Sequence, residues 1–128
     1  MDWSKNVNEL RGLGCGQQTK LSVAVRVFED LKLGNDYLIT AKHDRDFEIL
    51  YLRTEAEDCQ VSIYLPFLDT EKIDFELINK LSNKLGNEEN SQHTQQKSVR
   101  LRLFLAICDT SSNVLYYNVT HFLKEKQN

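Results

Sequence analysis

The sequence predicts a mixed α/β domain in the order helix, three strands, helix, two strands. Three observations carry this. Two stretches repeat apolar residues at helical spacing, one through Leu21, Ala24, Val25, Phe28 and Leu31, the other through Leu77, Ile78, Leu81 and Leu85. Five shorter runs are rich in β-branched, aromatic and leucine residues and are separated by polar or helical segments. The chain has 128 residues, 41% of them hydrophobic, which suffices for one domain around one core.

Residues 1–19 are polar, with Gly12, Gly14 and Gly16 close together, and read as a flexible leader with a short helical turn around Trp3 to Leu10. The domain is expected over residues 20–122. Its first helix begins near Leu21 and stops at Gly34, where a C-terminal glycine belongs. Tyr37 to Ala41 is the first strand. FEILYLR, Phe47 to Arg53, is apolar on both faces except at Glu48 and Arg53, as an interior strand should be. Gln60 to Leu65 alternates Val61, Ile63 and Leu65 on one face, and Pro66 is expected to end it.

The second helix is expected over about Glu71 to Leu85, closed by Gly86. GNEENSQHTQQKS, residues 86–98, has no apolar side chain and reads as a mobile polar loop. Two strands follow, Val99 to Cys108 and Val114 to Thr120, and residues 123–128 form a polar tail. The connections HDRD and EAED read as charged turns without distinctive chemistry.

Composition narrows the function. A formal charge of -3 does not suit a domain that grips nucleic acid alone. The N-terminus lacks a secretory pattern, and no apolar run approaches the roughly 20 residues that span a bilayer, so an intracellular protein without a membrane span is expected. Cys15, Cys59 and Cys108 are odd in number and far apart, which fits reduced thiols; Cys108, ending an apolar strand, reads as a buried one.

No catalytic or metal motif stands out. His43, His93 and His121 are far apart, no cysteines stand at ligand spacing, and GLGCG lacks the strand and lysine of a phosphate loop, so no metal and no cofactor are expected. Glu88 and Glu89 read as a solvated charge pair, because nothing in a polar loop would separate their pKa values. Arg100 and Arg102 project from one face of an extended strand, with Leu101 and Leu103 on the other. Two readings of them stay open: a solvated or rim-paired face, and a contact with RNA phosphate or an acidic partner.

Three segments in order carry a family resemblance. The first is LSVAVRVFEDLKLGNDYL, a helix followed at a fixed interval by an aromatic residue, Tyr37. The second is the strand closing in YLPF, with a helix ending in Ser82, Lys84 and Leu85. The third is LFLAICDTSSNVLYYNVT, an apolar strand ending in Leu-Ala-Ile, a short polar loop and a strand with a doubled tyrosine. Over residues 20–122 the chain resembles the small accessory subunit, subunit fifteen, of the eukaryotic tRNA-splicing endonuclease.

That resemblance implies the mixed α/β fold of tRNA-intron endonuclease catalytic domains and a structural role in a nuclear heterotetramer of two nuclease and two structural subunits. It implies pairing with one nuclease subunit through the last strand, at Val114, Leu115, Tyr116, Tyr117 and Val119. The loop Asp109, Thr110, Ser111, Ser112 and Asn113 would dock on the other nuclease subunit. Pre-tRNA would be met through the complex. Relatives that cleave RNA use Tyr, His and Lys. Here Thr40 stands where the tyrosine belongs and Leu101, beside Arg102, where the lysine belongs, while His43 lies near the histidine position, so a non-catalytic chain is expected. The docking loop of relatives is acidic. A single carboxylate, Asp109, leaves more of the fit to hydrogen bonding and shape.

Two other functions remain as alternatives. One is a metal-independent RNA endonuclease using His43 with Arg102. The other is a homodimeric interaction module using the same edge strand on itself, which would also explain self-dimers of the isolated chain.

Overall fold

The computed structural model describes residues 18–34, 38–56, 60–92 and 100–120. Helix α1 (Gln18–Gly34) is followed by β1 (Leu38–Asp44), β2 (Ile49–Glu55) and β3 (Gln60–Leu68). Helix α2 (Phe75–Gln92) then leads to β4 (Arg100–Cys108) and β5 (Val114–Asn118). The mixed α/β order expected from the sequence is the order observed. The strands form one five-stranded sheet in the order β1-β2-β3-β4-β5. All neighbouring pairs are antiparallel except β3 and β4, whose parallel pairing is the crossover that α2 provides.

Register assigns the two faces. Ala41 opposes Leu52, Leu52 opposes Tyr64, Tyr64 opposes Phe104, and Ala106 opposes Tyr116, so these side chains share one face. Helix α1 packs there, burying Leu21, Ala24, Val25, Val27, Phe28 and Leu31 with Ala41, Leu50, Leu52, Ala106 and Cys108. The opposite face buries Tyr51, Val61, Ile63, Leu65, Leu103 and Leu105 against Ile78, Leu81 and Leu85 of α2. Each fully buried aliphatic side chain contributes on the order of 1.5–3 kcal/mol, so the two cores are the main stabilising mass.

Three sequence expectations need correction. Pro66 does not end β3, which runs on to Leu68. The ladder with β2 ends at the Leu52–Tyr64 pair, so a proline beyond it forfeits no donor to that neighbour. The Pro66 carbonyl accepts instead from Lys20 Nζ at 2.6 Å. Second, α2 starts at Phe75 rather than Glu71, with Asp74 as its cap: Asp74 Oδ1 accepts the Leu77 N–H at 3.1 Å.

Third, α2 does not stop at Gly86 but continues to Gln92, so residues 86–92 of the expected loop are helical. The reason is an ion pair. Glu89 lies one turn beyond Leu85 on the core side and is only 7% exposed. Its carboxylate receives Arg53 Nε at 2.6 Å and Nη2 at 2.8 Å, a bidentate fork from β2. Glu89 is thus no member of a solvated pair with Glu88, which is exposed. Residues 93–98, the rest of that loop, lie outside the described residues, as do residues 1–17 of the expected leader, Val99 of the expected fourth strand, and residues 121–128, which include the expected tail 123–128.

The run HDRD, expected as a turn, instead ends β1 with His43 and Asp44 and opens the turn 45–48, and it has a task. Lys84 Nζ of α2 reaches Asp44 Oδ2 at 2.7 Å and Asp46 Oδ2 at 2.8 Å. The Asp44 carboxylate is buried, which raises its pKa, but the Lys84 ammonium and the Phe47 N–H outweigh this and hold it below the usual value.

Candidate partner interface

The expected interface strand, β5, is an edge of the sheet, with β4 as its one neighbour among the described strands. Alternation divides its side chains. Val114 and Tyr116 turn to the α1 side and pack on that core. Tyr116 meets the Tyr64 ring edge-on, with centroids 5.6 Å apart, and its hydroxyl donates to Asp30 Oδ2 at 2.5 Å. Burial and the Asp30 carboxylate push the Tyr116 pKa far up, so the hydroxyl stays a donor.

Leu115 and Tyr117 turn to the other face. They oppose Ile107 and Leu105 on β4, and they are 55% and 50% exposed. Val119 lies just past β5, half-buried against the α2-side core, with its N–H donated to the Leu103 carbonyl at 2.9 Å. The doubled tyrosine therefore divides its work: Tyr116 holds the strand to its own helix, and Tyr117 stands in solvent beside Leu115.

The β4–β5 turn is built on Asp109. Its Oδ1 accepts the N–H groups of Ser111 and Asn113, both at 2.9 Å, and its own N–H donates to the Asn113 carbonyl at 3.0 Å. The Asn113 and Ser111 N–H bonds favour the ionised carboxyl and lower its pKa. Ser112 adopts φ 65°, and its carbonyl accepts from Arg26 Nε of α1 at 2.8 Å. The loop is thus fixed from within and from α1. Its one carboxylate is already engaged, while the residues of Thr110, Ser111, Ser112 and Asn113 are exposed.

Arg102 is exposed on the α1 side of β4. Its Nη2 donates to Ser62 Oγ at 3.4 Å, and its guanidinium carbon lies 5.4 Å from the centroid of Phe104. The side chain of Arg100 lies outside the described residues. Cys108 is buried, and burial raises its thiol pKa, as expected of a structural cysteine.

A family model described as Sen15 protein matches residues 22–128. The chain belongs to that family, subunit fifteen of the tRNA-splicing endonuclease. A search of curated proteins returns no match. The expected fold and family therefore both hold, and this Sen15 chain is an accessory subunit of an RNA-processing complex.

Membership gives a frame for the remaining candidates. In this Sen15 chain His43 and Arg102 are not brought together. They stand on β1 and β4 with two strands between, about 14 Å across the sheet. Along the strands Arg102 aligns through Ser62 and Thr54 with Ile39, not with His43. The His43 side chain is 6% exposed and faces Glu48 Oε2 at 3.4 Å from Nε2. One scissile phosphate cannot touch both groups. Among the described residues no cluster of His, Cys, Asp or Glu could hold a metal ion.

Sequence reasoning missed Arg26, Asp30 and Phe104. Arg26 and Asp30 lie on the polar side of an amphipathic pattern, where a sequence shows solvated charge and gives no sign of the hairpin 86 residues away.

Proposed function

We propose that this chain is the non-catalytic structural subunit of a heterotetrameric, nuclear tRNA-splicing endonuclease, and that it joins a nuclease subunit through β5. The observation that carries the reading is the exposed pair Leu115 and Tyr117 on an edge strand. An edge offers unpaired main-chain groups to a second strand, and alternate side chains supply specificity. Exposed leucine and tyrosine side by side on that edge strand form an apolar patch suited to a partner's sheet.

The turn Asp109–Asn113 docks on the second nuclease subunit by shape and by its exposed hydroxyl and amide groups. Asp109 serves as the brace of the loop. The absence from this chain of the Tyr and Lys of cleaving relatives, at Thr40 and Leu101, and the separation of His43 from Arg102 support a role without chemistry of its own.

Affinity purification of the tagged chain from its native cells, with identification of what accompanies it, tests the reading. Recovery of nuclease subunits, lost on Leu115→Asp with the isolated fold intact, is the expected result. A chain that recovers only itself, as a dimer through β5, would establish the homodimeric module instead.

A further inference from the structure

The α1 side of the sheet is not covered evenly. Helix α1 buries the rows through Leu50, Leu52, Ala106 and Cys108, but it does not bury the end of the sheet where β3 and β4 begin. Arg102 and Asn118 are exposed there, and Tyr64 and Phe104 are half-buried. These residues are in register: Tyr64 opposes Phe104, Phe104 opposes Asn118, and Ser62 opposes Arg102.

The rings are stacked in order. The Phe104 and Tyr64 centroids are 5.0 Å apart with the planes inclined by 12°, and Tyr64 meets Tyr116 edge-on. Tyr116 is in turn fixed by Asp30. The Arg102 guanidinium extends the series past Phe104. With the Gln60 amide oxygen turned toward it, Arg102 donates from Nε and Nη2 to Gln60, and from Nη2 to Ser62 Oγ. Its partners among the described residues are neutral oxygens. Arg53, by contrast, is neutralised by Glu89 and Glu55. A cation held by neutral groups keeps its charge for an incoming anion.

The series from Tyr64 through Phe104 ends in the flat Arg102 guanidinium, to which every base offers a π-face, while its charge suits the phosphate beside it. We propose that Arg102, Phe104 and Tyr64 are a stacking platform for an unpaired nucleotide of the RNA that the endonuclease processes. The proposal rests on the chain's place in that complex. Charge complementarity selects RNA as the occupant: Arg102 matches a phosphate, and the rings match a base, whereas an acidic protein surface would use the arginine alone.

The test uses the assembled endonuclease carrying wild-type chain, Arg102→Gln or Phe104→Leu. Co-purification is measured first, followed by equilibrium binding of pre-tRNA across a salt series. With assembly intact, Arg102→Gln lowers the slope of log K against log salt by roughly 0.7, the loss of one phosphate contact on a single strand. Phe104→Leu weakens binding by roughly tenfold and leaves the slope unchanged, the signature of a lost stack. Unchanged affinity and slope in both variants would overturn the platform while leaving the subunit role standing. Loss of co-purification in Arg102→Gln would also overturn it and assign the arginine to an acidic protein surface. If the wild-type chain assembles with no nuclease subunit, the subunit role fails by itself. Photocrosslinking of the isolated full chain to a 4-thiouridine-containing single-stranded RNA then decides the platform: crosslinks at Phe104 or Tyr64 sustain it, and their absence ends it.

Discussion

Replacing the two neighbouring tyrosines separately should give opposite results, because alternation sends them to different faces. Tyr116→Ser removes a ring packed edge-on to Tyr64 and a hydroxyl that donates to Asp30. Burial of the ring contributes about 2 kcal/mol, the aromatic contact about 0.5–1 kcal/mol, and the bond to a carboxylate about 1.5 kcal/mol. The expected loss is about 4 kcal/mol, a fall in Tm of roughly 12–20 °C for a domain of this size. Tyr117 is half exposed within the chain. Tyr117→Ser should therefore cost under about 1 kcal/mol in the isolated protein. In the complex the same change removes an aromatic anchor worth about 2 kcal/mol, so affinity for the nuclease subunit falls by roughly 30-fold. Urea unfolding of the isolated chain and titration of the nuclease subunit separate the two effects. Equal destabilisation by both variants, or unchanged partner affinity of Tyr117→Ser, would refute the assignment of faces to functions.

The remaining expectations concern the helices and the charged contacts. Gly86 lies inside α2, with nothing within 4 Å of an added Cβ, so Gly86→Ala should raise stability by about 0.5–1 kcal/mol in thermal unfolding. Glu89→Ala leaves the Arg53 guanidinium without its bidentate partner and should cost about 3 kcal/mol by urea midpoint, whereas Glu88→Ala should stay within about 0.5 kcal/mol. Asp44 and Asp109 have folded pKa values below the unfolded value of 3.8. The unfolded chain then binds more protons in that range, so their contribution is present above that value and is lost as pH falls through the depressed pKa values. Asp44→Asn and Asp109→Asn should each flatten the acid limb of a stability–pH curve below the unfolded value of 3.8.

Much of the fold was legible because apolar periodicity is a local property. The stripe of α1, the apolar run of β2, and the strand–loop–strand of β4 and β5 could each be read from a few consecutive residues. What escaped depends on partners distant in sequence. GNEENSQ looks solvated because its core-side Glu89 is a carboxylate, and Arg53, which makes that position buried, is 36 residues away. Pro66 looked like a stop because the early end of the β2 ladder is invisible in the residues around it. The two tyrosines could be assigned to opposite faces from alternation alone. Which face was solvent-exposed depended on where α2 lies.

The position of α2 follows from its charged residues as much as from its leucines. Lys84 ties it to the β1–β2 turn through Asp44 and Asp46, and Glu89 ties its last turns to Arg53 on β2. Both clamps lie on the β1–β2 half of the sheet. Ile78, Leu81 and Leu85 then cover β3 and reach β4, and the face of β5 carrying Leu115 and Tyr117 is left uncovered. Sliding the helix toward these side chains would cover Leu115 and Tyr117 while exposing core residues of β2 and β3, so apolar burial alone separates the two positions weakly. Moving it would break both clamps and leave the Arg53–Glu89 pair, buried in its present geometry, without its hydrogen bonds. The charged residues that read as featureless in HDRD and GNEENSQ therefore hold α2 away from Leu115 and Tyr117, and leave that edge uncovered by the described helices, as the proposed pairing requires.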